Sequence, residues 1–334
     1  MNPSRRRVLL AAAMALLVAP FTAGAQVPAK AGRVVMLSDY LMGRWPATRV
    51  NAFRQGLRDL GWVEGRNLVI EERHAASEEQ RKQIASEMEQ LRPDVIYACP
   101  PCAIRAAPSG SAPIRGIPIV FIYSDPVAGK MVESLARPGG NMTGLAYLGI
   151  ELNVKRLQLL KESFPTLARI GVLVTKNHAL RDRMVAEIQD AAQKLNVRLQ
   201  LLEIASDEPA ERIDAAFEAM VREGAQAVLG LQGPHFFRER KRIAGLALKY
   251  RLPGIFDLGD DVEAGALMTY DTNFVDLMRR SASYVDRILK GAKPSDLPVE
   301  QPNTFEFAIN LGTAKAMGLT IPQSVLLRAN RVIE

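Results

Sequence analysis

Two cysteines and three histidines are the residues through which this 334-residue chain could run nucleophilic, redox or metal chemistry. Cys99 and Cys102 stand in ACPPCA, and Cys-x-x-Cys spacing serves thiol–disulfide exchange when a thioredoxin-like unit surrounds it. Here the pair follows the strand-like Asp94–Ala98, and two vicinal prolines strain the short loop between the sulfurs. Free thiols or one disulfide fit that setting better than a redox centre. His74, His178 and His235 fall in separate segments without metal-ligand spacing. No G-x-S-x-G elbow, H-E-x-x-H or P-loop occurs, and Gly129-Lys130 runs into a methionine. After the first strand LSDYLMGRW stands where a dinucleotide fingerprint would be. These absences favour binding over turnover, with an exported hydrolase as the weaker alternative because triad members can lie far apart in sequence.

The elements that must position any site alternate strictly. RVVMLSD, NLVIEER, DVIYACP, PIVFIYSDP, RIGVLVT, VRLQLLEIA, AQAVLGLQG and LPGIFDLG read as short buried strands. Between most of them lie helical stretches such as VNAFRQGLRDLGW, VKRLQLLKESF and PAERIDAAFEAMVREG. This pattern predicts an α/β architecture with parallel sheets, and it runs twice, from Arg33 to about Asn141 and from about Val154 to Gly265. Stripes such as Leu157, Leu160 and Phe164 are core. The glycine-rich SLARPGGNMTG lies between the two series, and no helix-opening pattern follows it, so it is read as the approach to a crossover and not as a phosphate cradle. Thr143 within it becomes a candidate ligand contact.

In open parallel sheets ligands sit beyond the carboxyl ends of the strands. The loops there hold Ser38, Asp39 and Tyr40, Cys99 and Pro100, Ser124 and Asp125, Lys176 and Asn177, Gln232, and Asp257. Tyr40 can stack on a ligand or cap a lobe edge. Asp39 can accept from an amine or close an Asx turn. Asp125 can touch ligand or cap a helix after Pro126. Lys176 and Asn177 can reach a carboxylate or simply be solvated.

Residues 1–25 read as a cleaved leader, with Arg5–Arg7, an apolar stretch from Val8 to Val18, and a cut expected before Gln26. Ser4–Leu10 resembles a twin-arginine signal, and a general secretion signal also fits. The 43 Lys and Arg against 36 Asp and Glu give +7, and the leader removes three arginines and no acid, leaving +4. No basic block is interleaved with aromatics, which argues against nucleic acid. The remaining 309 residues fit two lobes. An exported chain also cannot be a chromosomal regulator.

DPVAGKMVESLARPGGNMTG, together with EAGALMTYDTNFVDLMRRSASYVDRILKGAKPSDLPVEQPNTFEFAINLGTAKAMGLTIPQSVLLRANRVI, resembles the substrate-binding proteins of ABC transporters. Within them the chain is similar to the branch of tryptophan/tyrosine-type binding proteins, over nearly all of Arg33–Glu334. The resemblance implies the type I periplasmic-binding fold, two Rossmann-like lobes joined by three crossovers with a ligand in the cleft. The lobes are expected over 33–145 plus about 267–295, and about 146–266 plus about 296–334. It also implies a periplasmic monomer without cofactor that closes on a small organic ligand, such as an amino acid, and presents the closed form to a permease with its ATPase at the inner membrane. A sensory protein facing a receptor is the alternative. Tyr270 and Asp271 fall where relatives approach the cleft. The family usually has glycine at the position of Asp271, and small or hydroxylated residues at Cys99 and Cys102, so the identity of the ligand does not carry over.

Overall fold

The computed structural model describes residues 31–39, 45–75, 77–98, 116–257, 260–302 and 304–334. The expected leader, and Tyr40, Cys99, Pro100 and Cys102, lie outside the described residues. Among the described residues no helix is long and apolar enough to cross a membrane.

The first sheet has strands β1 (Gly32–Asp39), β2 (Leu68–Ala75), β3 (Val95–Ala98), β4 (Ile119–Tyr123) and β5 (Met142–Ala146). Their order is β2-β1-β3-β4-β5, with every pair parallel. Helices α1 (Ala47–Asp59) and α2 (Glu78–Leu91) supply the crossovers after β1 and β2, and Ser77 caps α2 by accepting from the Gln80 amide. Valine, isoleucine, phenylalanine, tyrosine and alanine fill both faces of β3 and β4, as parallel strands covered on both sides require.

The second sheet contains β6 (Arg169–Thr175), β7 (Arg198–Ile204), β8 (Ala227–Gly230), β9 (Gly254–Phe256), β10 (Met268–Thr272), β11 (Phe305–Asn310) and β12 (Arg331–Ile333). The order is β12-β11-β10-β9-β8-β6-β7, and only β10 and β11 run antiparallel. Around it lie α3 (Gly149–Ser163), α4 (Arg181–Lys194), α5 (Glu211–Arg222), α6 (Pro234–Arg238), α7 (Arg240–Lys249) and the single-turn α8 (Asp260–Glu263). The predicted FFRERKRIAGLALKY helix is therefore two helices, α6 and α7, meeting at Glu239.

The chain passes between the sheets three times: at Tyr147–Leu148 between β5 and α3, at Asn273 between β10 and helix α9 (Phe274–Leu289), and between Glu300 and β11. This is a pair of Rossmann-like α/β lobes joined by three crossovers. Two expected boundaries shift. Met268–Thr272, placed by sequence in the first lobe, fills the gap between β9 and β11 in the second sheet, while α9 packs on α1 and the first sheet. Residues 297–300, expected in the second lobe, bind the first. The Val299 amide donates to Leu135 O, the Ala146 amide donates to Glu300 O, and the Tyr284 hydroxyl donates to Pro298 O.

The glycine-rich stretch is also placed differently. Met142–Ala146 is the edge strand of the first sheet beside β4, and the crossing comes only after it. Gly144 has φ +151, and a Cβ there would overlap the Phe121 carbonyl oxygen on β4. The glycines therefore serve strand packing at this point, with the turn itself made at Gly139 and Gly140, both at positive φ.

Close approach also fixes α9. A Cβ at Gly56 would overlap the Arg279 carbonyl oxygen, so α1 and α9 meet backbone to side-chain-free backbone. Gly56→Val should force the helices apart and lower the unfolding free energy by about 1–3 kcal/mol in denaturant titrations. Unchanged stability would show that α9 is not held by this contact.

Candidate functional site

Residues on buried helix faces build the site. On α3 the buried positions include Leu152, Asn153, Arg156, Leu157 and Leu160, so Arg156 occupies a place in the apolar stripe and is fully buried. A guanidinium removed from water needs acceptors for its donors. Arg156 Nε donates to Tyr270 O at 2.7 Å, Nη1 to Asn153 Oδ1 at 2.6 Å and Gly149 O at 3.3 Å, and Nη2 to Asp257 O at 3.5 Å. One side chain thus ties the first crossing to the ends of β9 and β10. Its Nη2 also lies 3.4 Å from Asp271 Oδ1.

Asp271 is 2% exposed, and neither of its oxygens accepts a well-formed hydrogen bond from a described residue, the neighbouring Thr272 amide making only a minor contribution. Burial pushes its carboxyl up to about 8; Arg156 opposes the shift and neighbouring Asp257 adds to it. Asp257 is raised as well, by burial first, with Arg156 opposing.

Arg49 performs the corresponding task from the first lobe. It lies on the buried stripe of α1 with Val50, Phe53 and Leu57. Its Nη2 stands 3.0 Å from Asp260 Oδ2 in the second lobe. The guanidinium carbon lies 4.9 Å from the ring centre of Phe237, on α6, and 4.6 Å from that of Phe274, at the start of α9. Phe274 packs edge-on against Tyr147 of the first crossing at 5.0 Å. Phe237 comes from the second lobe yet packs in the core cluster of the first, so the lobes are in contact here. A second contact joins Arg183 of α4 to Asp125 at 2.6 Å.

Between the lobes lies a cavity of about 270 Å3, lined by Arg49 and Phe274 from one side and by Asp260, Asp271, Thr272 and Glu306 from the other. Farther along the second lobe's cleft edge stand Gln232 and His235, 3% and 2% exposed. Neither amide atom of Gln232 and neither ring nitrogen of His235 has a hydrogen bond among the described residues. Gln232 reaches the first crossing, since a Cβ on Gly149 would overlap its amide. Burial, assisted by Arg238, lowers His235 to about 4 and keeps the imidazole neutral.

Of the residues expected at the site, Gln232, Asp257, Tyr270 and Asp271 gather on the second lobe's cleft edge. Tyr270 contributes its carbonyl to Arg156, while its ring packs against Phe305 and Phe307. Ser124 is buried at the end of β4 with its hydroxyl unbonded among the described residues. Others have structural duties. Ser38 Oγ lies 3.0 Å from His74 Nδ1, its register partner across β1 and β2. Asp39 ends β1 opposite Ala75. Asp125 accepts from the Ala128 amide, capping a turn and not the helix expected after Pro126. Thr143 is fully buried and donates to Leu297 O at 2.6 Å, which takes it out of the cleft. Asn177 accepts from the Ser206 amide, and Lys176 is exposed beside it.

Arg49, Arg156, His235, Phe237 and Asp260 were not foreseen. The two arginines carried a legible signal, a cation at a stripe position of an amphipathic helix. His235 carried none, because only the fold buries it.

Two outcomes follow from this electrostatic arrangement. Arg156→Met should lower stability by roughly 3–5 kcal/mol in urea titration, because it strands buried carbonyls at three chain segments at once. A loss below about 1 kcal/mol would remove Arg156 as the organiser. For Asp271, whose ordinary value is 3.8, the unfolded chain releases between about pH 4 and 8 a proton that the folded chain keeps. The unfolded state then binds fewer protons, so wild-type stability falls as pH rises through that window. Asp271→Asn should flatten this slope and gain on wild type at pH 8 relative to pH 4, read from unfolding free energies across the range.

Comparison with known proteins agrees with this architecture. Residues 46–333 match the family described as ABC transporter substrate binding protein. The chain is 27% identical over 271 residues to a tyrosine-binding protein of Clostridioides difficile, covering 80% of this chain and 75% of that one. A conserved domain protein from Vibrio cholerae superposes with a TM-score of 0.79 at 26% identity, over 91% of this chain and 100% of the other. An ABC domain in complex with L-Trp from Streptococcus pneumoniae gives 0.75 at 21% identity, over 90% and 100%. The superpositions show the periplasmic-binding type I architecture, and the matched family is one of substrate-binding proteins, not enzymes. The chain belongs to the family of ABC transporter substrate-binding proteins.

Proposed function

We propose that the protein is the exported solute-binding component of an ABC importer, closing its two lobes on an amino acid or a similarly small organic ligand. The observation that carries this reading is the cavity between the lobes. Groups of both signs line it, a phenylalanine ring forms one wall, and each lobe contributes buried polar atoms without internal partners among the described residues. Such a mixture suits a zwitterion with an apolar side chain better than a sugar, for which neutral hydroxyl partners and flat ring contacts would be expected. The tyrosine-binding relative and the L-Trp complex support the same ligand class.

Capture then works by differential contact. A ligand touching both lobes stabilises the closed arrangement, in which Arg49 meets Asp260 and Phe237, and a membrane permease would recognise that form. The basic, apolar, small-residue leader supports export to the periplasm, where such a monomer would work.

A thermal-shift screen of the mature chain against the twenty standard amino acids and a set of sugars tests the reading. The cognate amino acid at about 100 times its dissociation constant should add about 2.7 kcal/mol of stability. Stabilisation by sugars and by no amino acid would overturn the ligand class.

A further inference from the structure

The cavity beside Asp271 supports an inference that deepens the proposed function and rests on it. Strand β10 runs antiparallel to β11, and Asp271 stands directly opposite Glu306, so the two acids share one face of the sheet. Both line the cavity, as do Arg49 and Thr272. Thr272 Oγ1 and Arg49 Nε, on residues 4% and 2% exposed, have no hydrogen bond among the described residues, and neither do the Asp271 oxygens. Leaving one such atom buried and unbonded costs about 1–3 kcal/mol. A cavity bordered by several is matched to a solute that satisfies them.

Internal partners do not neutralise Asp271. Arg156 gives its hydrogen bonds to three carbonyls and Asn153 and approaches the carboxylate only to 3.4 Å. Glu306 already has Arg331 at 3.2 Å, and Asp260 has Arg49 at 3.0 Å. Asp271 is thus the acid in this cavity with both oxygens buried and neither hydrogen-bonded among the described residues. We propose that Asp271 selects the ligand by receiving its protonated amine, with Arg49 across the cavity serving an anionic group of the same molecule.

The surroundings couple capture to protons. Arg156 from α3, Arg49 from α1, Asp257 after β9, Asp260 and Glu263 from α8, Glu306 from β11 and Arg331 from β12 are the charged groups around Asp271 and its cavity. Burial and Asp257 hold its carboxyl protonated up to about pH 8, against the pull of Arg156 and Arg49. An arriving ammonium reverses that balance, and the Asp271 proton leaves to solvent. Affinity should therefore rise about tenfold per pH unit below pH 8 and then level off.

The test is isothermal titration of L-tyrosine and L-tryptophan, each with its desamino acid, into the mature wild type and Asp271→Asn. Runs at pH 6 and pH 8, in two buffers of different ionisation heat, report proton release. Wild type should prefer each amino acid to its desamino acid and release close to one proton at pH 6. Asp271→Asn, with its fold confirmed by an unchanged or raised melting temperature, should lose on the order of 100-fold for the amino acids, keep its affinity for the desamino acids, and release no proton. Equal amino-acid affinity and equal pH dependence in the two proteins would overturn the role of Asp271 while leaving the solute-binding reading intact. Failure of the wild type to bind any of the four compounds, together with no stabilisation by any of the twenty amino acids in the thermal screen, would overturn both.

Discussion

A buried guanidinium cannot be left unsolvated, and the second lobe is arranged around that requirement at Arg156. Parallel strands leave carbonyls at their carboxyl ends without a ladder partner wherever the chain turns out of the sheet. Here Asp257 O and Tyr270 O are two of these, and Gly149 O opens the helix after the first crossing. Arg156 serves all three from the apolar face of α3. The cleft edge of the lobe is thereby a braced platform, with the crossing held to the same side chain as the strand ends. Breaking any one bond loosens the others, because they share one rigid planar group.

That brace sets the electrostatics of the cleft. Arg156 directs its bonds to backbone and leaves Asp271 at ion-pair distance only, so the carboxylate is attracted without being satisfied. Desolvation then outweighs the attraction, and the acid keeps its proton to about pH 8. The first lobe faces this with Arg49, whose charge is spread over the faces of Phe237 and Phe274 and shared with Asp260. A cation on aromatic faces is held without using all its donors. Both lobes therefore present charged groups of opposite sign whose hydrogen-bonding capacity is only partly used.

Much of the fold was legible in the residues. Apolar runs of four to eight residues alternating with amphipathic stretches specify parallel α/β units, and the strands fell where β-branched residues clustered. Loops at strand ends gave Gln232 and Asp257, because that rule depends only on topology, whereas Asp271, inside β10, came only from the resemblance. Thr143 was misplaced because glycine signals both turns and close packing, and Gly144 meets the second need against Phe121. Met268–Thr272 was misassigned because a strand that ends at a crossing carries no mark of which sheet it joins. Arg49 and Arg156 are charged residues in apolar stripes, a pattern that sequence reading passes over as solvated edge. Their burial is decided by partners far along the chain, such as Asp257 O, 101 positions away, for Arg156 and Asp260, Phe237 and Phe274 for Arg49.

In the proposed hinge mechanism, closure is a balance of two partly formed states. Arg49 reaches Asp260 and Phe237 only when the lobes meet, so these contacts favour the closed arrangement even before a ligand adds its own. Against them stands the cost of burying Asp271, Gln232 and His235 with polar atoms unbonded among the described residues. A ligand shifts the balance only through groups that remove this cost in the closed form and not in the open one. Selectivity and closure are therefore the same event: a molecule that fills the cavity without satisfying its polar atoms gains contact area and leaves the cost in place. The brace at Arg156 makes this discrimination sharp, because the platform cannot relax to bond its own leftover groups.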